Sequence, residues 1–376
     1  MTTRAEYSKP DFAYPKTVSK NAVSSLDKAL ADGDGKLLVR SLIDYSLAEK
    51  AIDRDSLQPV LNRIAAITSQ EKDAPTRAML SLLQADIYQA LYQAERWTYD
   101  RRQLPATAAN QDYRLWSGEQ FREKLLSLTG EALSDPAALK SQKLSEYTGI
   151  ITVDNESKPF FPTLYDFAAW RSIETLKSLS PTPYMFPVGM LCRYDIYIRL
   201  PFNYQSPVAK QILYIYQQLL DFHKGDAAPF IYDDVSRIEF VAEGVTDPQT
   251  EKIKLLYELY NSYSTSPYSA EALIAIANSS CCLNIETQPE ETMKFYKTAT
   301  ECVSRHPGYF RINNLKGAIN AIKSKSLNLE YGSTVVPGDT LKITVNNKNV
   351  NSAKIEIYKV PYNQAGNSGW YNMHTG

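Results

Sequence analysis

With 376 residues the chain exceeds what one compact core holds, so two or three domains are expected. Its 41 basic and 42 acidic residues leave a net charge of -1 with no long run of either sign. That excludes the clustered Lys/Arg surface which duplex nucleic acid requires. No apolar stretch approaches the roughly 18 residues that span a bilayer, so no transmembrane segment is expected.

From the N-terminus, apolar residues three and four apart predict helices near 19–30, 36–50, 56–68 and 75–95. Pro75 suits the first turn of the last, and Met79, Leu82, Leu83, Ile87, Ala90 and Leu91 suit its inner face. Between the first two helices, Asp32-Gly-Asp34-Gly-Lys36 superficially resembles a calcium loop. Position 5 is Lys36 and position 12 is Ile43, so two oxygen ligands are missing and the segment reads as a turn. The stretch 97–116, with Trp97, Pro105 and Trp116, reads as a long loop, and further helices are expected near 117–129 and 136–147.

A helix opens at Phe161-Pro162-Thr163, with Leu164, Phe167, Ala168 and Ile173 as its buried side and Pro181 and Pro183 beyond its end. The clearest helix runs from Ser206 to about His223. Ser206 can cap it, Pro207 takes the first helical position, and Val208, Ile212, Ile215, Leu219 and Phe222 form one stripe. His223 and Lys224 favour the negative end of the helix, and Gly225 is expected to take a left-handed stop. Residues 250–323 read as stacked helical hairpins. Ile253, Leu256, Tyr257 and Tyr260 line one helix, Leu273, Ile274 and Ala277 the next, and Thr292, Tyr296 and Ala299 precede His306-Pro307. The order of small and aromatic residues is similar to a tetratricopeptide unit, although the proline comes about three residues late.

Near residue 326 the period changes. Leu327–Tyr331, Thr340–Val345 and Lys354–Val360 alternate apolar and polar, as half-buried strands do, before a Gly/Asn-rich end carrying Trp370 and Tyr371. Three strands do not close a β-domain, so the chain reads as the front of something longer, ending inside its first β-sandwich. The expected organisation is a helical domain over 1–250, tetratricopeptide-like hairpins of right-handed superhelical character continuing it over 251–325, and a partial sandwich over 326–376.

Chemistry-bearing patterns are few. His223, His306 and His374 stand far apart and share no metal-ligand spacing with Cys192, Cys281, Cys282 and Cys302. The cysteines read as small buried hydrophobes. Neither a nucleophile elbow nor a phosphate loop occurs. Asp233, Asp234 and Glu239 read as solvated charges on a helix face. No catalytic, cofactor-binding or metal residue is therefore expected, and the chain reads as a non-enzyme. The 26 tyrosines are spread along the whole chain, which favours packing over ligand stacking.

Three segments carry a resemblance: Phe161-Pro-Thr-Leu-Tyr-Asp-Phe-Ala-Ala-Trp-Arg171; the helix Ile212–Lys224 leading into Asp226–Phe240 with Arg237-Ile-Glu-Phe-Val241; and Asn314-Leu-Lys316 with Ser326-Leu-Asn-Leu-Glu330. Together, in this order, they resemble the amino-terminal region of large bacterial alpha-2-macroglobulin-family proteins of the Bacteroidetes type. The anchors lie between residues 160 and 360; the first 150 residues match in helical character more than in motif. The resemblance implies a periplasmic or cell-envelope protein, exported with its leader removed, in which macroglobulin-like sandwiches follow a helical front. A bait region cleaved by proteases comes next, and in many members a Cys-x-x-Gln thioester captures the attacking protease. Here the four cysteines are followed three residues on by Asp195, Asn284, Ile285 and Arg305, so no family functional residue carries over. The implied partners are the remaining domains of the same protein and, for the whole, target proteases. Two other readings stay open: a glycan-binding helical-repeat envelope lipoprotein, favoured by the Tyr and Trp content, and an α/α-barrel carbohydrate enzyme, which terminal strands fit poorly.

Overall fold

The computed structural model describes residues 5–8, 14–53, 57–103, 112–180, 182–203, 206–279, 285, 287–331, 338, 340–354 and 356. The chain is mainly helical and divides into two compact units, Met1–Leu315 and Lys316–Gly376.

In the first unit a short strand β1 (Ala5–Tyr7) is followed by helices α1 (Pro15–Asp32) and α2 (Gly35–Ile52). These two form a hairpin whose turn is the acidic-glycine segment. Gly33 ends α1 in the left-handed conformation (φ 68°), and Asp34 caps α2 by accepting from the Leu37 amide at 3.0 Å. Helices α3 (Leu57–Gln70) and α4 (Ala74–Ala94) follow, α4 capped by Asp73. Helix α4 is buried along most of its length and packs against α2, α3, α6 (Gly118–Ala132) and α8 (Leu164–Lys177), so it is the spine of the unit.

Between α4 and α6 lie a five-residue helix α5 (Arg96–Asp100) and one 3₁₀ turn (Tyr113–Leu115). The stretch read as a long loop is thus partly helical, and residues 104–111 fall outside the described residues. Tyr88 stacks on Trp116 at 5.1 Å, and Phe121 receives Tyr92, Tyr99 and Trp116, which anchors this connection in the core. The helix expected over 136–147 is instead a short α7 (Pro136–Lys140) and a 3₁₀ turn (Leu144–Tyr147).

Either side of the region 19–147, where no strand is expected or found among the described residues, β1 pairs antiparallel with β2 (Ile151–Val153), Tyr7 facing Ile151. The Tyr7 hydroxyl donates to the Met79 carbonyl at 2.6 Å, fastening the amino-terminal segment onto α4. Strands of three residues are too short to leave a period-2 signature, which is why they are missed.

After α8 come a four-residue helix α9 (Tyr194–Tyr197), α10 (Pro207–Phe222) and α11 (Ala227–Glu243). Ser206 caps α10 and Pro207 opens it, as its sequence predicts. The stop differs: the C-cap is His223, and Gly225 is not left-handed, since Gly33 and Gly338 are the positive-φ glycines among the described residues. The tight turn is instead closed by the Asp226 amide donating to the His223 carbonyl at 3.0 Å. Helices α12 (Gln249–Ser262), α13 (Ala270–Asn278), α14 (Pro289–Arg305) and α15 (Ile312–Lys323) complete the α-helical series. Leu256, Tyr257, Tyr260, Leu273, Ile274, Thr292 and Ala299 are buried, as their spacing predicts.

In the second unit β3 (Ser326–Tyr331) pairs antiparallel with β4 (Ile343–Lys348), placing Leu329 opposite Val345 and Tyr331 opposite Ile343. Asn349 ties this hairpin to the helix end by donating to the Ile322 and Ser324 carbonyls. The third predicted strand, Lys354–Val360, lies largely outside the described residues. No helix among the described residues is long and apolar enough to cross a membrane.

Candidate functional site

Chemistry-bearing side chains gather at three places in the first unit, and the most enclosed joins α8, α10 and α11. Thr163 precedes α8, and Asp166 sits three residues on, so its Oδ2 accepts from the Thr163 amide (2.7 Å) and hydroxyl (2.8 Å). The other oxygen, Oδ1, lies 3.1 Å from His223 Nε2 as an ion pair. His223 Nδ1 meets Asp233 Oδ2 at 2.7 Å, and Asp233 Oδ1 accepts from the Trp170 indole at 3.1 Å. One imidazole therefore bridges two carboxylates, all three buried.

Burial alone would push the His223 imidazole down, but Asp166 and Asp233 outweigh it and hold it at about 9. Burial pushes the Asp233 carboxyl up to about 7, against the pull of His223. His223 is thus a cation at a helix end, as its position suggests, yet an enclosed one. Asp233 and Asp234 are buried, which corrects their reading as solvated helix-face charges; Glu239 is half-buried. The physical reason is that α11 packs on two sides, so the face carrying both aspartates turns inward with Phe230, Val235 and Ile238. Asp166, His223 and Asp233 are buried and border neither of the two clefts described next, and together they fasten α8 and α11 to the end of α10.

The second place borders a cleft. Arg237 is wholly buried; its Nε and Nη2 donate to Asp234 Oδ1 at 3.0 and 2.5 Å, and its Nη1 donates to the Cys192 carbonyl at 2.7 Å. The guanidinium also lies over the Tyr197 ring, 4.7 Å from its centroid. Both residues lie in the lining of a cleft of about 540 Å³ between α11, α12 and the start of α9.

The third place is the bond between α13 and the approach to α15. Glu271, fully buried, accepts from the Tyr309 hydroxyl and from Arg311, each at 2.5 Å. Burial raises the Glu271 carboxyl, and Arg311 and Tyr309 pull against that. A similar ionic link, Arg171 with Asp86 (2.5 Å) and Glu174 (3.1 Å), borders an apolar cleft of about 530 Å³ walled by Leu83, Ile87 and Leu91.

The remaining residues weighed from the sequence stay apart. His306 caps α14 and reaches the Ser264 carbonyl, Cys192 is half-buried and Cys302 buried, and Cys281, Cys282 and His374 lie outside the described residues. Among the described residues no group of three His, Cys, Asp or Glu side chains could hold a metal ion. The Thr163–Asp166 capping pattern was available in the sequence, but the pairing of Asp166 with a histidine 57 residues away was not. No protein-family model, curated protein or solved structure matches the chain.

Proposed function

We propose that this chain is a non-catalytic helical scaffold joined to the start of a macroglobulin-like β-sandwich. In this reading it is the front region of a long, exported envelope protein of the bacterial alpha-2-macroglobulin type, whose whole traps or inhibits proteases. The observation that carries the reading is the β3–β4 hairpin. Leu327, Leu329 and Tyr331 share one face with Ile343 and Val345, and Leu327, Tyr331 and Val345 are 45%, 57% and 39% exposed. A two-stranded ribbon is marginal alone, and an apolar face of this kind is what a sandwich buries against a second sheet.

The helical unit supports a scaffold role. Pairs α1/α2, α3/α4, α10/α11 and α12/α13 are joined by short turns and pack on one another, the arrangement from which hairpin repeats build an extended binding face. Its enclosed ionic groups serve packing: Asp166 with His223 and Asp233 joins α8, the end of α10 and α11, Arg237 pairs with Asp234 inside α11 and reaches the Cys192 carbonyl, and Glu271 with Arg311 ties α13 to the approach to α15. Most described tyrosines are built into ring clusters, such as Phe160, Phe161, Trp170 and Tyr232, and so serve packing.

The test is protease entrapment by the whole protein. An endopeptidase mixed with it should keep its activity on small chromogenic peptides and lose activity on protein-sized substrates. Unchanged cleavage of large substrates by every protease class tried would remove the inhibitor reading. Hydrolysis of a peptide or glycan by the present chain, abolished by one carboxylate substitution, would remove the scaffold reading.

A further inference from the structure

We propose that the cleft between α6 and α10 receives a short, uncharged peptide segment in extended form. Its apolar side chains would rest on the cleft walls, and its backbone N–H groups would donate to side-chain oxygens that the fold leaves unused. The cleft has a volume of about 780 Å³, and Leu126, Leu133, Leu200, Phe202 and Ile215 wall it. Among the described residues no aspartate or glutamate borders it, and Lys210 is the one charged group. A cation finds no carboxylate there, and an anion meets a single exposed amine, which is worth little in water. An uncharged, largely apolar body loses least on entering.

The polar atoms that open on the cleft are set by bonds made behind them. Gln217 is 9% exposed, and its Nε2 donates to the Tyr197 and Leu200 carbonyls at 2.9 and 3.0 Å. A carbonyl only accepts, so those two bonds fix which end of the amide is nitrogen. Its Oε1 then accepts no hydrogen bond from the protein and is not sealed from solvent. Gln211 is fixed likewise: its Nε2 donates to Thr129 Oγ1 at 3.0 Å, and that hydroxyl already donates to the Leu125 carbonyl at 2.8 Å. Tyr165, 2% exposed, also borders the cleft, and its hydroxyl is open and without a protein partner. Gln211, Tyr214 and Gln218 stand at i, i+3 and i+7 on one face of α10, so carboxamide, phenol and carboxamide form a row about 10 Å long. About three residues of extended chain cover the same distance. A row of acceptors calls for a row of donors, which a peptide backbone supplies as N–H groups. A fatty acid brings apolar length without donors, and a sugar brings donors without the apolar body.

The 376-residue chain would be titrated with N-acetylated, C-amidated pentapeptides in which Leu, Val or Phe alternates with Ser, by calorimetry and saturation-transfer NMR. At least one should bind. The same peptide with its backbone nitrogens methylated, which removes the N–H donors, should bind about tenfold more weakly. Gln217→Leu should weaken binding by about tenfold as well. Tyr165→Phe and Gln218→Ala should each weaken it by a few-fold and leave the thermal melt unchanged, because neither polar group has a partner in the free protein. These two variants keep the test intact if Gln217→Leu fails to fold. No binding of any pentapeptide at millimolar concentration overturns the proposal. So does equal binding of the methylated peptide, binding indifferent to both Tyr165→Phe and Gln218→Ala, or a preference for decanoate over every peptide.

Discussion

Replacing His223 with glutamine removes the cation from between Asp166 and Asp233 while keeping much of the side-chain volume. The rise of the imidazole from its ordinary 6.5 to about 9 corresponds to about 3 kcal/mol of preference for the protonated folded state. Independently, deleting one partner of a buried ion pair costs about 3–5 kcal/mol, because the other charge stays buried. The two figures agree, so a loss of about 3 kcal/mol is expected at neutral pH. The pH dependence has a definite sign. His223 binds its proton more tightly folded than unfolded, so its stabilisation is complete below 6.5 and is lost as pH rises through about 9. Asp233, raised from 3.8 to about 7, acts in the same direction: its contribution is complete below 3.8 and is lost as pH rises through about 7. The folded chain therefore takes up protons at this cluster and loses stability from mildly acidic to alkaline pH. Thermal melts followed by far-ultraviolet circular dichroism, for wild type and His223→Gln across that range, isolate the effect as a difference. The gap between the two should narrow as pH passes from 6.5 to about 9. A variant as stable as wild type at neutral pH, or a gap that widens with pH, would refute a bridging imidazolium.

Arg237→Ala strands the buried Asp234 carboxylate and should cost about 3–5 kcal/mol in a urea melt, whereas Arg237→Met with Asp234→Leu, which removes both charges, should recover much of that. Glu271→Ala cuts Tyr309 and Arg311 from α13, and faster amide exchange over residues 309–315 than elsewhere in the helices is the expected readout. Gly244→Ala places a Cβ 2.0 Å from the Tyr184 carbonyl oxygen and 2.5 Å from the Phe186 ring, so overpacking of about 1–3 kcal/mol should appear in the melt. Leu329→Thr with Val345→Thr should lower the binding of an apolar fluorescent dye and leave the melt of the helical unit unchanged, since that apolar face is open.

Local physics was enough to place most long elements. Ser206-Pro207 and Pro75 mark helix starts through their immediate neighbours, and the structure has both; the caps Asp73 and Asp34 are equally local but were not read from the sequence. The stripe Val208, Ile212, Ile215 and Leu219 is buried for the same reason it is legible: one helix has one period. The switch to alternation at Ser326 likewise reports β3, and part of Thr340–Val345 reports β4.

What the sequence by itself determined, then, is where the longer helices lie, which stripe each one buries, and where helices give way to strands, because those are properties of a residue and its neighbours three or four positions away. Only the tertiary structure decided which charges leave water. Asp221 and Asp233 both sit on amphipathic helices, yet Asp221 is exposed and pairs with Lys224 at the surface while Asp233 is enclosed with His223 and Trp170. The pairing of Tyr7 with Ile151 and the tie between Glu271 and Arg311 are likewise products of packing. A buried ion is tolerated only where a partner from another element reaches it, and which elements meet is settled by the whole fold.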